Sequence, residues 1–517
     1  MDLMEDWITD SNECFFINLT RPGSSPNKPE RVFDESFNPN FTYELFGDEQ
    51  KLIGYKEPRI TLEFRANDLA PALDVKFKQK LDLAGLLPDN KQLDIKEPFK
   101  DILPASAFDT AEVSSHLGPD PTSNSWKPPG KLLRSFALLG KQYEVWTTSL
   151  ADPVALQMFR NIQILVLLFI EGGSQLELDE DWTLERWTLY LLYEVTPLKN
   201  QSVSPYTIAG FSTSYRYWVF PTFEIMSATN MLPSPPDSTN GDAMTFTPPG
   251  LTQDPETHLF NEHINPLEAQ SRERISQFII LPPFQGQSLG GKLYDTIFGV
   301  LIKVPNIYEI AVEDPSEAFD VMRDYSDITY LRALPEFKAL SLASSLSPEQ
   351  LKKDAPVPRD FILGNGADLD ALRHKTKIVP RQFNRVLEIH LLSTIPPLHR
   401  SIARITRKDK SSNENDRKYY FWRLALKDRI YRQNADVLEQ LEDPTERVER
   451  LENAVDDVQN EYTDRLNGID RRAEWETDDE EVQNGETSRA KRKRVVIDED
   501  DDEADGESVA SSKKVKI

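Results

Sequence analysis

Residues 274–317 read RISQFIILPPFQGQSLGGKLYDTIFGVLIKVPNIYEIAVEDPSE. The apolar run Phe278-Ile279-Ile280-Leu281 predicts a strand, ended by Pro282-Pro283. A glycine-bearing loop follows, Gln285-Gly286-Gln287-Ser288-Leu289-Gly290-Gly291. Leu293, Ile297 and Leu301 recur every four residues, which predicts one apolar face of a helix that the loop opens. Ile307 to Val312 predicts a second strand, ending in Glu313-Asp314-Pro315.

Such a unit suits a particular chemistry. Glycines let the backbone approach a ligand closely, and loop N–H groups together with a helix N-terminus form an anion site. A diphosphate fits. By itself such a loop is more readily an ordinary strand-to-helix turn. It is not a Walker loop, because no Lys-Ser/Thr follows the last glycine, and it does not match G-x-G-x-x-G.

Outward from this unit, Arg59-Ile60-Thr61-Leu62-Glu63-Phe64 alternates as a strand should, within a strand-like stretch from Phe41 to about Leu81. Residues 21–40, rich in Pro, Ser and Asn, predict a surface segment, and 118–130 (GPDPTSNSWKPPG) a break or long loop. Ile162–Ile170 (IQILVLLFI) predicts a buried strand and Trp187–Val195 another. Residues 227–257 collapse into Pro, Ser, Thr and Gly, which predicts a flexible insertion. Residues 377–470 read mainly as helix, where Val448, Leu451, Val455, Val458 and Tyr462 form an amphipathic stripe. The stripe is brief, so packing on the protein's own body is favoured over a coiled coil. After about Ala473 the composition predicts a disordered tail of alternating charge blocks, including RAKRKR at Arg489–Arg494. That basic cluster reads as a nuclear-import signal or a nucleic-acid patch, import being favoured because the flanking acids would screen DNA phosphates, or else as a solvated charge run.

The chain has 517 residues, with 60 Lys+Arg against 86 Asp+Glu, a net charge of −26. Residues 473–517 hold 15 acids and 8 bases, which leaves −19 on residues 1–472. An acidic body disfavours nucleic-acid binding and attracts basic peptides. The single Cys14 excludes an internal disulfide framework and fits a reducing compartment. The acidic N-terminus is no secretory signal, and the longest apolar run is too short to span a bilayer, so no membrane association is expected. His258 and His263 do not match H-E-x-x-H, so no metal is expected.

Gln285-Gly286-Gln287-Ser288-Leu289-Gly290 resembles the coenzyme A loop, Q/R-x-x-G-x-G/A, of the GNAT acetyltransferase superfamily. More closely, RISQFIILPPFQGQ with AVEDPSEAFDVMRD resembles the catalytic subunit family of type B histone acetyltransferases. Weaker likeness lies in residues 37–56 and 213–221. Ser288 departs from the pattern, standing where the family has its first small glycine. The resemblance implies a mixed α/β protein built on a GNAT-type domain with a twisted mixed sheet. The expected division is a recognition domain at 1–130, a transferase domain at 131–340 containing the insertion, a helical region at 341–472 and a tail at 473–517.

It further implies that acetyl-CoA is the co-substrate, with Phe278, Ile279 and Ile280 pairing with its pantetheine arm. Gln285, Gly286, Gln287, Ser288, Leu289, Gly290 and Gly291 would wrap the pyrophosphate, and Ser316 would make another coenzyme contact. Asp48, Glu49 and Gln50, with Tyr215, Arg216 and Tyr217, would hold a histone tail. A WD-repeat histone-binding subunit would be the partner, and nucleus and cytoplasm the location. The acetylated group would be a lysine amine of newly made, non-nucleosomal histone, chiefly of the H-four type.

A lysine amine is almost wholly protonated near neutral pH, so the transfer needs a base. Glu313, at the end of the second strand, fits best, with Asp314 and Glu171 as supporting candidates from the family pattern. Asp314-Pro315-Ser316-Glu317 also matches a helix cap, with Asp314 as the capping residue. Two other readings stay open: an enzyme acetylating a small amine, and a histone-binding scaffold with a vestigial coenzyme site.

Overall fold

The computed structural model describes residues 6–25, 28–81, 94–108, 120–178, 181–196, 202–219, 255–257, 267–268, 270–352, 354–406 and 413–483. The chain forms two compact units, Met1–Ser316 and Glu317–Ile517.

Two larger sheets build the first unit. One has strands β1 (Phe15–Ser25), β2 (Lys28–Arg31), β3 (Arg59–Arg65) and β4 (Pro71–Lys76) in the order β2-β1-β3-β4. The alternation expected from Arg59 is observed, with Ile60, Leu62 and Phe64 buried against Phe15, Ile17 and Leu19 of β1, the parallel neighbour. The segment at 21–40 therefore contributes strand as well as surface, since β1 runs on to Ser25 and β2 follows it.

The other sheet has six strands in sequence order, β5 (Lys131–Leu138), β6 (Lys141–Ser149), β7 (Trp187–Val195), β8 (Tyr206–Val219), β9 (Ser271–Ile280) and β10 (Ile307–Val312). Every neighbouring pair is antiparallel except β9 and β10, which are parallel. A parallel pair needs a crossover, and a helix at Leu289–Leu301 packs against both strands, burying Leu293, Ile297 and Leu301 as their spacing requires. The expected strand–loop–helix–strand unit is thus present, its second strand with the expected bounds.

Pro153–Phe169 corrects one expectation: it is a helix, not a strand. Asp152 caps it, accepting from Val154 N at 2.8 Å and Ala155 N at 3.1 Å, and Pro153 supplies a first helical residue with no N–H to satisfy. Residues 161–168 are buried without interruption, so the apolar run carries no face-to-face period to distinguish helix from strand. Among the described residues no helix is long and apolar enough to cross a membrane.

Gly210 of β8 lies opposite Ile280, where a Cβ would sit 2.4 Å from the Ile279 carbonyl oxygen. No side chain fits there. Gly210→Ala is expected to destabilise the protein by about 1–3 kcal/mol, the usual cost of overpacking, seen as a lower denaturant midpoint.

In the second unit, helices at Glu317–Arg332, Pro380–Ser393, Glu414–Gln433 and Pro444–Gln483 pack on one another. The first of these begins well before the expected start of the helical region at 341. The long last helix buries Val455 and Tyr462 of the expected stripe against the 380–393 and 414–433 helices, while Val448 is 60% exposed. The helix continues past residue 473 to Gln483, which corrects the start expected for the tail. Residues 473–483 contain no Gly or Pro, so extension of an existing helix meets no breaker. Residues 227–254, both His258 and His263, and the tail beyond 483 lie outside the described residues.

Candidate active site

β10 ends at Val312, level with Ile275 of β9, and the Glu313 N–H donates to the Ile275 carbonyl at 2.8 Å. Beyond that point β9 runs on to Ile280 while the chain after β10 turns away through Asp314. Between Ile275 and Phe278, β9 carries one residue more than β8 opposite, a bulge that disrupts the ladder beside Glu313. The strand pair therefore parts where the candidate base stands.

Three side chains from two strands, β8 and β9, meet on the Glu313 carboxylate. Arg274 Nη1 donates to Oε1 at 2.8 Å, Tyr215 OH to the same oxygen at 3.4 Å, and Ser276 Oγ to Oε2 at 2.5 Å. Arg274 Nη1 also donates to Tyr215 OH at 3.1 Å. Register produces this row, since Trp187, Tyr215 and Arg274 are directly opposite one another on β7, β8 and β9. Trp187 and Tyr215 stack with ring centroids 4.4 Å apart. The Glu313 side chain is 34% exposed, so the carboxylate is held yet reachable.

From Ile280 the chain passes through a tight turn at Pro282–Phe284 into the glycine loop. Gln285 Nε2 donates back to the Ile280 carbonyl at 2.8 Å, and Gln287 Nε2 to the Pro283 carbonyl at 3.1 Å. Gly286 has φ +70° and is exposed. Ser288 directly precedes the helix at φ 61°, ψ 9°, and its side chain makes no capping bond. The N–H groups of Leu289, Gly290 and Gly291 open that helix with neither a helical carbonyl nor a side-chain cap. This set of donors suits an anion.

The left-handed backbone at Ser288 explains why a glycine is the natural residue there. An L-residue in that conformation costs about 1–2 kcal/mol, against about 0.5–1 kcal/mol of extra chain entropy for Gly. Ser288→Gly is expected to stabilise the protein by roughly 0.5–1 kcal/mol, checked by thermal denaturation.

The other expected residues divide. Asp314 is exposed, with φ 29°, and the next helix starts at Glu317, so Ser316 rather than Asp314 directly precedes it. Glu171 stands exposed in the turn after the 153–169 helix, not at a strand end, and among the described residues no hydrogen bond joins it to Glu313. Asp48 and Glu49 are exposed, Glu49 beside Lys51 at 3.4 Å. Gln50 is spent on structure: its Oε1 accepts from Thr42 N at 2.9 Å and Asn12 Nδ2 at 3.1 Å. Arg216, expected on the histone-binding surface, is buried in an ion pair with Glu273, Nε to Oε2 2.9 Å. Strand alternation sends it to the face opposite Tyr215. The side chain of Tyr217 lies outside the described part. Phe278 and Ile280 are half-buried, and Ile279 is buried against the other face. Burial pushes the Cys14 thiol up to about 12, which leaves no thiolate for covalent chemistry.

Arg274, Ser276 and Trp187 were not expected at the site. Arg274 and Ser276 sit two residues apart on one strand and so share a face, but their meeting with Glu313 depends on the β9–β10 register, which no local pattern encodes.

The family described as Histone acetyl transferase HAT1 N-terminus matches residues 7–171. The "Histone acetyltransferase type B catalytic subunit" of Gibberella zeae is 35% identical over 516 residues, covering 96% of this chain and 97% of the relative. Its namesake from Aspergillus oryzae is 36% identical, covering 88% of this chain and 85% of the relative. That of Neurospora crassa is 34% identical, covering 99% and 98%.

Proposed function

The chain belongs to the family of type B histone acetyltransferase catalytic subunits, and on that premise we propose that it moves acetyl from acetyl-CoA to lysine ε-amines of histone tails. The acceptor is newly made, non-nucleosomal histone, chiefly of the H-four type. The observation that carries this reading is the position of Glu313, a reachable carboxylate at the point where β9 and β10 part.

In this reading the pantetheine arm lies along Phe278 to Ile280, and the loop from Gln285 to Gly291 receives the pyrophosphate, with Ser316 as a further contact. The lysine stem passes the Trp187–Tyr215 stack, an apolar surface suited to its methylenes. Glu313 takes one proton from the lysine ammonium directly or through water and releases it to solvent. The neutral amine attacks the thioester carbonyl, forming the C–N bond with one further N–H proton to lose. A backbone N–H near Ile280 meets the developing oxyanion. The C–S bond then breaks and the departing coenzyme sulfur takes up the proton. Asp314 and Glu171 are supporting carboxylates. Asp48 and Glu49 offer exposed negative charge to a basic tail, whereas Gln50 and Arg216 support the fold. A WD-repeat histone-binding subunit is the partner, with no direct contact to nucleic acid or membrane. The protein works in the nucleus and the cytoplasm, the basic tail cluster serving import.

Labelled acetyl-CoA offered with free core histones and, separately, with spermidine tests the reading. Label on histone tails is the expected result. Label on spermidine alone would indicate a small-amine enzyme, and bound coenzyme with no transfer would indicate a scaffold.

A further inference from the structure

We propose that Arg274 and Ser276 are positioning residues that fix the Glu313 carboxylate so that Oε2 is the oxygen that receives the amine proton; the inference rests on Glu313 being the base.

A general base works when one lone pair is aimed at the proton it removes. A glutamate on an exposed turn would rotate about its side-chain bonds, and an isolated surface ion pair would restrain it little. Glu313 differs in being tied three ways. Its backbone N–H is bonded to β9 at Ile275, its Oε1 to β9 and β8 through Arg274 and Tyr215, and its Oε2 to β9 through Ser276. All of these anchors stand on strands inside a six-stranded sheet rather than on loops. The two carboxylate oxygens are not equivalent. Oε1 accepts from two donors, Arg274 and Tyr215, which engages both of its lone-pair directions. Oε2 accepts from Ser276 alone among the described residues, so one direction is left for a proton. Arg274 and Ser276 need not touch the acceptor to act: Arg274 fills one oxygen, and Ser276 sets the angle of the other.

The test is a comparison of steady-state constants for histone acetylation in the full chain. Ser276→Ala and Arg274→Ala are expected to lower kcat about ten- to a hundredfold, the scale of a misplaced reacting group. KM for acetyl-CoA and for histone should change less than about twofold, because binding contacts are untouched. Ser276→Thr and Arg274→Lys keep a donor at each place and should recover most of the rate, which separates positioning from loss of fold. Glu313→Gln is measured alongside. A dead Glu313→Gln with Ser276→Ala and Arg274→Ala at wild-type kcat would overturn this inference and leave the base assignment standing. Wild-type activity in Glu313→Gln would remove the base assignment, and this inference with it. Variants that raise KM or fail to be rescued by the conservative changes would mark the two residues as merely structural.

Discussion

Glu388→Ala is expected to destabilise the second unit by about 3–5 kcal/mol, the cost of breaking a buried ion pair from one side. Glu388 is fully buried on the 380–393 helix and is the common partner of three other segments. Arg359 Nη2 lies 3.0 Å from its Oε1, Arg429 Nη2 2.9 Å from Oε2, and Tyr462 OH donates to Oε2 at 2.9 Å. Burial, with the neighbouring Glu388 charge next in importance, holds the Tyr462 phenol well above its usual range. Removing the carboxylate would take from Arg429 its ion-pair partner among the described residues and leave Arg359 only the exposed Asp360, 3.9 Å away. The measurement is urea denaturation followed by the helix signal in circular dichroism. Glu388→Gln, which keeps an acceptor but not the charge, should fall between wild type and Glu388→Ala.

Glu313→Gln is expected to slow acetyl transfer to histone about a hundredfold or more, the lower range for loss of a general base. Gln keeps the size of the side chain and one oxygen for Arg274 and Tyr215, so the strand ends should stay in place. What it loses is the ability to take a proton. The change lies outside the loop at 285–291, the proposed pyrophosphate site, so acetyl-CoA should bind as it does to the wild type. A fall in rate without a fall in coenzyme affinity would therefore locate the defect in chemistry.

The β9–helix–β10 unit was legible because each of its parts has a local signature: an apolar run closed by prolines, a glycine loop, a four-residue apolar period and a second apolar run. The helix at 153–169 was not legible, because burial on all sides erases the period that distinguishes helix from strand. Its start was nevertheless signalled by Asp152-Pro153. At the site, a strand-end acid such as Glu313 reads by itself as a surface acid, and only the resemblance singles it out. Its partners Arg274 and Ser276 could not be read, since they reach it through a strand register set over a long separation in the chain, while Tyr215 was expected at the site but against the histone tail rather than on Glu313. The same holds for Arg216, whose neighbour Tyr215 faces the site while Arg216 turns to Glu273 on the other side of the sheet. Gln50 reads as a surface polar residue in sequence and becomes a clamp on Thr42 and Asn12 only once the turn has folded.

The most direct measurement is a single-turnover transfer from prebound, labelled acetyl-CoA to free histone, with wild type and Glu313→Gln side by side. The expected result is equal loading of coenzyme, rapid label transfer to the histone tail by the wild type, and transfer slowed about a hundredfold or more in the variant. Equal transfer rates in the two proteins, or no label on histone from the wild type, would contradict the account.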